Sequence, residues 1–484
     1  MAKKLKQEKY LNQEVKNQNS VKIKAPIVEA LKTAYENPTY QFHIPGHTKG
    51  KAIFKDFRKL IGEKALNIDT TDEFDNLGTL HPATGPIKEA QELAAEAFGA
   101  KKTFFLLNGS TAGNLALAMA LTKKGDKVIV NRNCHRSVLT GMIISGAEPI
   151  WICPNRIEDW SIWGNTDAAQ IEELINKNPD VSMVWITNPT YEGVVSDIKA
   201  ISAVCKKHNI PLLVDEAHGC LWNFNKHLPE TALKLGADAV VHSLHKTGGS
   251  MSQSSMLHIA KDSCLNVEAV EKALKLLHTT SPSLMLLASL DAARANLQSK
   301  NGQILLERAV KNAKYLRTRL DSIQGLHQLK GDFGYKTDVT KVFIRIDGLS
   351  GKRLESILEI DFGIEVESAS DIGVLILCNI GNKHSDFKYL ADCLEKIAAT
   401  NYQDIYYLEK RKHMPMLEPQ IKMSLREAFY AEKETIPKSE AIGRISAEVV
   451  AECPPGISIL LPGELITEEH LPYLNDYETL EVVK

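Results

Sequence analysis

Apolar residues along this chain recur in two alternating rhythms. Short, nearly continuous apolar runs at 104–107, 126–131, 149–152, 183–187, 211–214, 237–241 and 253–259 each end in a polar or glycine-containing loop. Runs of this length, bounded by turn residues, predict strands buried on both faces. Between them, helical spacing predicts helices over 86–98, from Ser110 or Thr111 to about Leu121, and over 168–175, 196–208 and 268–277. An earlier helix at 25–36 carries Ile27, Leu31 and Ala34 on one face and stops at Asn37-Pro38. This β-α-β-α rhythm predicts an α/β fold: a large, mostly parallel sheet wrapped by helices.

Beyond residue 283 the rhythm changes. A long helical region is predicted from 284 to about 320. Strands at 341–346, 363–367 and 374–380, with helices at 352–358 and 387–399, then predict a small α+β unit. A further region runs from Met414 to the end. The expected division is an N-terminal arm and rim segment (1–85), a large domain (86–325), a small α+β domain (326–403) and a C-terminal domain (404–484). The first twenty residues are polar throughout and read as a mobile arm, with no apolar signal segment.

Composition narrows the class without naming it. With 484 residues, 44% apolar and 24% charged, the chain is an ordinary globular protein with a sizeable core. A net charge of −2 gives no reason to expect nucleic acid or an anionic membrane as partner. No apolar run approaches the ~18 residues of a membrane span. The eight cysteines include no C-x-x-C pair, which points to reduced thiols in the cytoplasm and to no metal site.

Two loops carry the candidate chemistry. The strand at 211–214 delivers Asp215 to its C-terminal end, where open α/β sheets bind ligands. Lys246 follows the strand at 237–241, inside Ser243-Leu-His-Lys-Thr-Gly-Gly. Alone, a Lys before two glycines is a surface turn. Asp215, however, lies 31 residues upstream, room for one helix and one strand. Adjacent strands then bring an acid and a desolvated lysine to one rim. That pair is what pyridoxal 5'-phosphate (PLP) requires: a lysine to bind it covalently and an acid for its ring nitrogen.

Other residues stay open on their own terms. Gly109, Ser110 and Thr111 form a strand-turn-helix start that reads as a cap or an anion site. His135, in Asn133-Cys-His, reads as a helix cap or a ring-stacking residue. Thr279 to Ser283 read as a cap for the next helix.

Ser-x-His-Lys at 243–246, followed by Ser252-Gln-Ser-Ser, resembles fold-type I PLP enzymes. Within them it resembles the ornithine/lysine/arginine decarboxylases, in their short biosynthetic arginine decarboxylase-like form. The resemblance runs from Phe42 to about Thr467. It includes Phe42-x-x-Pro-Gly-His-x-x-Gly50, the segment 441–448 and Pro454-Pro-Gly…Pro462-Gly-Glu464, a C-terminal pairing that aminotransferases lack. One departure is Gly78-Thr79 before Leu80-His81, where many short relatives carry two acids.

The resemblance implies a fold-type I, aspartate aminotransferase-like architecture and α-decarboxylation of a basic amino acid. Arginine is the first choice, lysine or ornithine the alternative; a PLP aminotransferase or desulfurase is the more distant one. It implies a PLP phosphate cradle of Gly109, Ser110, Thr111 and Ser243, with His135 on the ring face and Asp215 at the ring nitrogen. Ala217 and His218 lie at the ring edge, and Lys246 or His245 returns a proton to Cα. Thr280 reaches the cofactor of a partner subunit, so a homodimer or larger homo-oligomer with interfacial sites is expected. Glu464 is the candidate for the distal end of the substrate, against the alternative of a surface acid after a turn. His47 is a second substrate-side candidate.

Overall fold

Seven strands form the central sheet of the computed structural model, which describes residues 23–37, 39–71, 76–331, 336–400, 417–452, 456–474 and 476–484. The predicted arm at 1–20, Met414 and Pro454-Pro455 lie outside the described residues. The strands are β1 (Ala100–Leu106), β2 (Lys127–Asn131), β3 (Glu148–Ile152), β4 (Val181–Thr187), β5 (Leu212–Asp215), β6 (Ala239–His242) and β7 (Ser255–Ala260). Their spatial order is β1-β7-β6-β5-β4-β2-β3. Pairing from β6 to β3 is parallel, and β7 runs antiparallel to both β6 and β1.

The continuous apolar runs are explained by burial on both faces. Val128, Val130, Trp185, Leu213 and Val241 pack with Leu117, Leu139 and Met142 on one side. Ile129, Val184, Ile186, Val214 and Val240 pack with Ile171, Ile198 and Ile201 on the other. The first group's helices are Gly109–Leu121 and Arg136–Ser145. The second group's are Ala168–Lys177 and Ile198–Lys207.

A second sheet holds β8 (Leu326–Gln328), β9 (Lys341–Ile346), β10 (Ser368–Ala369) and β11 (Val374–Leu377), in the order β8-β9-β11-β10, all antiparallel. A short ladder, Lys336–Thr337 against Val194–Val195, ties it to the segment after β4. The C-terminal segment builds two antiparallel strand pairs over its own core of Ile436, Ile459, Leu460 and Leu480. It also reaches the central sheet: Arg136 N donates to Gly456 O at 3.0 Å, and His135 bridges Ile457.

Several predicted boundaries move for local reasons. The strand expected at 363–367 does not form, and ladder pairing begins at Ser368. Gly363, at φ 64°, closes the helix Gly351–Phe362 instead. The region 284–320 is two helices, Leu284–Gln298 and Lys300–Asp321, because Ser299 leaves helical geometry and caps the second by accepting from Gly302 N. β7 starts at Ser255, since Gln253 has φ 77°. The helix after β1 starts at Gly109 without a side-chain cap, which frees the Ser110 hydroxyl for another partner.

No group of three or more metal-ligating side chains occurs among the described residues. Nor is any helix among them long and apolar enough to cross a membrane.

Candidate active site

The parallel strands all release their chains at one rim, and a cavity of about 200 Å³ lies there. That is below the ~300–1,000 Å³ of drug-sized pockets. Five strand exits and one C-terminal residue line it. β1 contributes Gly109, Ser110 and Thr111, and β2 contributes Asn133 and His135. β4 contributes Thr187, Pro189 and Tyr191, β5 Asp215, Ala217 and His218, and β6 Ser243, His245 and Lys246; Ile457 closes the wall. Ten of the thirteen residues singled out in the sequence therefore meet in one place.

Register explains the central pair. Asp215 ends β5 opposite Val241 of β6, and two residues later β6 gives way to the turn of helix that carries Lys246. Asp215 is 3% exposed. Its Oδ2 accepts from Asn114 Nδ2 at 2.9 Å and its Oδ1 from Ala217 N at 3.2 Å. Asn114 uses its other N–H on Ser137 Oγ at 2.9 Å, and that hydroxyl lies 2.8 Å from His135 Nδ1. Ser137 N also donates to Nδ1, at 3.2 Å. Nδ1 is thus the acceptor, and the neutral ring carries its hydrogen on Nε2. His135 is therefore a helix cap and a cavity wall at once. Burial lowers its pKa, against the pull of Asp215.

Lys246 is desolvated, which lowers its pKa, while Asp215 and then Glu367 oppose the shift. Its Nζ lies 3.0 Å from His218 Nε2. Ser110 Oγ and Ser243 Oγ are 2.7 Å apart and close one end of the cavity. His245 Nδ1 faces Ser254 O at 2.8 Å, so Nδ1 carries the hydrogen; burial lowers this pKa as well.

Three predicted residues are not brought to the cavity of this chain. Glu464 is fully buried and does not line the cavity. Its Oε2 accepts from Leu461 N at 3.0 Å and lies 3.8 Å from Arg132 Nη2, and its Oε1 lies 3.3 Å from His470 Nε2. Arg132 also donates to Ser458 O and Ile459 O. The cluster ties the C-terminal segment to the loop of His135. His47 closes its own loop, accepting from Gly50 N at 2.9 Å on Nδ1 and facing Asp69 at 3.2 Å through Nε2. Thr280 is exposed, at the turn before the helix Leu284–Gln298.

The structure adds residues the sequence did not single out. Asn114 sits in the interior of an apolar helix. Tyr191 donates its hydroxyl to Glu367 Oε1 at 2.8 Å and turns its ring edge-on to His218, with centroids 5.3 Å apart. Lys341, 2% exposed in β9, donates to Tyr191 O at 2.5 Å. The signals were an Asn and a Lys in elements that are mostly apolar.

The antiparallel seventh strand, with an acid and a lysine on adjacent exits of a parallel sheet, defines an α/β enzyme of the fold-type I class. Comparison with known proteins specifies it further. Residues 25–342 match the family described as Orn/Lys/Arg decarboxylase, major domain, and residues 407–482 match Orn/Lys/Arg decarboxylase, C-terminal domain. A Bacillus subtilis protein named arginine decarboxylase is 39% identical over 457 residues, covering 93% of this chain and 92% of that one. One of the same name from Halalkalibacterium halodurans is 37% identical over 451 residues, covering 92% and 91%. Among solved structures, the Francisella novicida lysine decarboxylase LdcF superposes with a TM-score of 0.83 at 21% identity, covering 96% of this chain and 81% of that one. The chain belongs to the Orn/Lys/Arg decarboxylase family.

Proposed function

We propose that this chain is a PLP-dependent α-decarboxylase that converts arginine and a proton to agmatine and carbon dioxide, working as a homodimer. The observation that carries the reading is the meeting of Asp215 and Lys246 around one cavity on adjacent strand exits. The choice of arginine rests on the two relatives of that name at 39% and 37% identity.

The residues present fit the cofactor. Around the cavity, Thr187 Oγ1, Asn133 Oδ1 and His218 Nδ1 are buried without a hydrogen-bond partner, as expected where a ligand completes the set. Nothing lies within 4 Å of where a side chain on Gly109 would start, which leaves room beside the Ser110 and Ser243 hydroxyls for a phosphate. When bound, PLP supplies the electron sink for the pair released as Cα–COO⁻ breaks.

The chain's own residues do the rest. Lys246 anchors the cofactor, and the Asp215 carboxylate, fixed by Asn114 and Ala217, offers its remaining lone pairs to the ring nitrogen. Gly109, Ser110, Thr111 and Ser243 hold the phosphate, Ala217 and His218 bound the ring edge, and His135 walls one face. His245, whose Nε2 is free to exchange a proton, or Lys246 itself returns the hydrogen to Cα. Glu367, held by Tyr191, is the carboxylate we assign to the guanidinium end of the substrate. Glu464, the acid chosen from sequence, is committed elsewhere.

Exposed aromatic and aliphatic side chains support a second copy of the chain as partner. Tyr40 (95% exposed), Phe42 (98%), Phe54 (73%) and Leu60 (82%) crowd the segment ahead of the large sheet. Thr280 and His47 then serve the partner's site. The unpaired state of the seven described cysteines fits a cytoplasmic protein.

The deciding experiment supplies arginine, lysine and ornithine together, with PLP, and identifies the amine formed and the gas released. Agmatine with carbon dioxide is expected. A diamine as the main product moves the specificity to lysine or ornithine; a keto acid without carbon dioxide replaces decarboxylation by aminotransfer, and sulfide from cysteine supplied in a parallel reaction replaces it by desulfuration.

A further inference from the structure

His218 and Lys246 meet at 3.0 Å, Nε2 to Nζ, and the surroundings of this contact are unusual in charge and in origin. Burial, and then the positive charges of Lys341, Lys246, His245 and His135, oppose protonation of His218 and push its pKa well below the usual histidine value. Asp215 and Glu367 favour the charged form of Lys246, and burial outweighs them. One of these cations comes from the other sheet. Lys341 Nζ reaches out of β9 to Tyr191 O at 2.5 Å and lies 5.2 Å from the Tyr191 ring centre, whose edge faces His218. Gly193 makes the approach possible, because a Cβ there would stand 2.9 Å from Lys341 Cβ. Burial lowers the Lys341 pKa to about 8, with Asp338, Glu192 and Glu367 opposing that shift and Lys246 adding to it. Below that pH it is a cation.

We propose that His218 is the acceptor that orients the Lys246 amine for attack, and that Lys341, through its charge and its hold on the Tyr191 loop, keeps that imidazole neutral. The proposal rests on the reading of Lys246 as the PLP anchor. A neutral ring with its Nε2 lone pair toward Lys246 accepts one amine N–H and leaves the nitrogen lone pair free. A protonated ring has only N–H to offer, and it would donate into the lone pair the amine needs. Only the neutral arrangement reacts. In the capture step Nζ bonds to the aldehyde carbon of PLP, and the aldehyde oxygen leaves as water with the two amine hydrogens.

Capture itself is the readout, independent of turnover. The full-length protein, stripped of cofactor, is mixed with PLP from about pH 5.5 to about pH 9, quenched with borohydride, and the Lys246 peptide is quantified by mass spectrometry. His218→Phe is expected to slow capture by about tenfold or more at the pH of maximal rate, the size of one lost hydrogen bond to a reacting group. His218→Gln, whose amide oxygen accepts an N–H, is expected to recover most of the rate. Lys341→Met removes a cation that disfavours protonation of Lys246 and His218, so the acid limb is expected to move to higher pH by about half a unit or more. Lys341→Arg is expected to track the parent protein. Lys341→Gln, which keeps a donor for Tyr191 O without the charge, repeats the test if the methionine variant does not fold. Capture by His218→Phe at the parent rate, or an acid limb unmoved in the uncharged Lys341 variants, overturns the proposal. A parent protein that captures PLP yet releases no carbon dioxide from arginine refutes the assigned reaction and leaves this inference standing.

Discussion

Asn114 Nδ2 donates to Asp215 Oδ2 at 2.9 Å, across 101 residues of sequence. The same amide holds Ser137, which in turn holds His135, so one buried side chain fixes both the acid and the histidine of the site. Replacing Asn114 with Leu removes a hydrogen bond to a buried carboxylate, worth ~1.5–3 kcal/mol. PLP retention, followed by absorbance during dialysis, is expected to weaken roughly ten- to hundredfold. Retention equal to that of the parent protein would detach Asn114 from the site.

Glu464 makes a separable prediction. Arg132, 2% exposed, and Glu464, fully buried, share a cluster with His470 that joins the C-terminal segment to the His135 loop. Glu464→Gln is expected to destabilise the protein by ~1–3 kcal/mol, seen as a lower melting temperature, because one charge of a buried set loses its counterpart. KM for arginine should stay within a few-fold. A large KM increase with unchanged melting would return Glu464 to the substrate.

Glu367 should behave in the opposite way. Glu367→Gln is expected to raise KM for arginine about ten- to hundredfold, the worth of a charged hydrogen bond, while kcat changes far less. Tyr191→Phe, which frees the same carboxylate without removing it, should give a smaller shift in the same direction. Steady-state kinetics with both variants decides; an unaltered KM in Glu367→Gln frees the guanidinium for another acid.

Acid sensitivity has an identifiable source in a second histidine pair. His278 Nδ1 and His81 Nε2 are 2.7 Å apart, and burial, then His81, lowers the His278 pKa to about 4. The unfolded chain binds the proton near the ordinary value of about 6.5. The stabilising contribution is therefore complete above that value and is lost as pH falls towards 4, by up to ~3 kcal/mol. His278→Gln should melt with a shallower pH dependence between pH 7 and pH 4.5. Parallel curves for variant and parent would refute the assignment.

The central architecture was legible because parallel strands buried on both faces leave continuous apolar runs, and each run ends at the rim. Asp215, Lys246, His135 and the Gly109–Thr111 turn could be placed from those endings and from the 31-residue interval. Asn114, Lys341 and Glu367 could not. Each acts on a residue that lines the cavity (Asp215 or Tyr191) rather than lining it itself, and such a contact leaves no mark in the sequence. Glu464 failed for a related reason. A Pro-Gly-Glu turn looks exposed in one dimension, yet Arg132 and the C-terminal core enclose it. The displaced strand at 363–367 shows that a glycine ending a helix can delay ladder pairing, here until Ser368.

Within the central sheet β7 is the one strand that runs against its neighbours, so it begins where the others finish. Its leading residues are held from two sides: Gly109 N donates to Gln253 O at 2.7 Å, and Ser254 O accepts from both His245 Nδ1 and His245 N. The chain thus leaves the rim at Ser243 and is back at it by Ser254, a circuit too short to absorb slack. Lengthening the stretch from Ser243 to Lys246 by even one residue would shift the lysine relative to the acid.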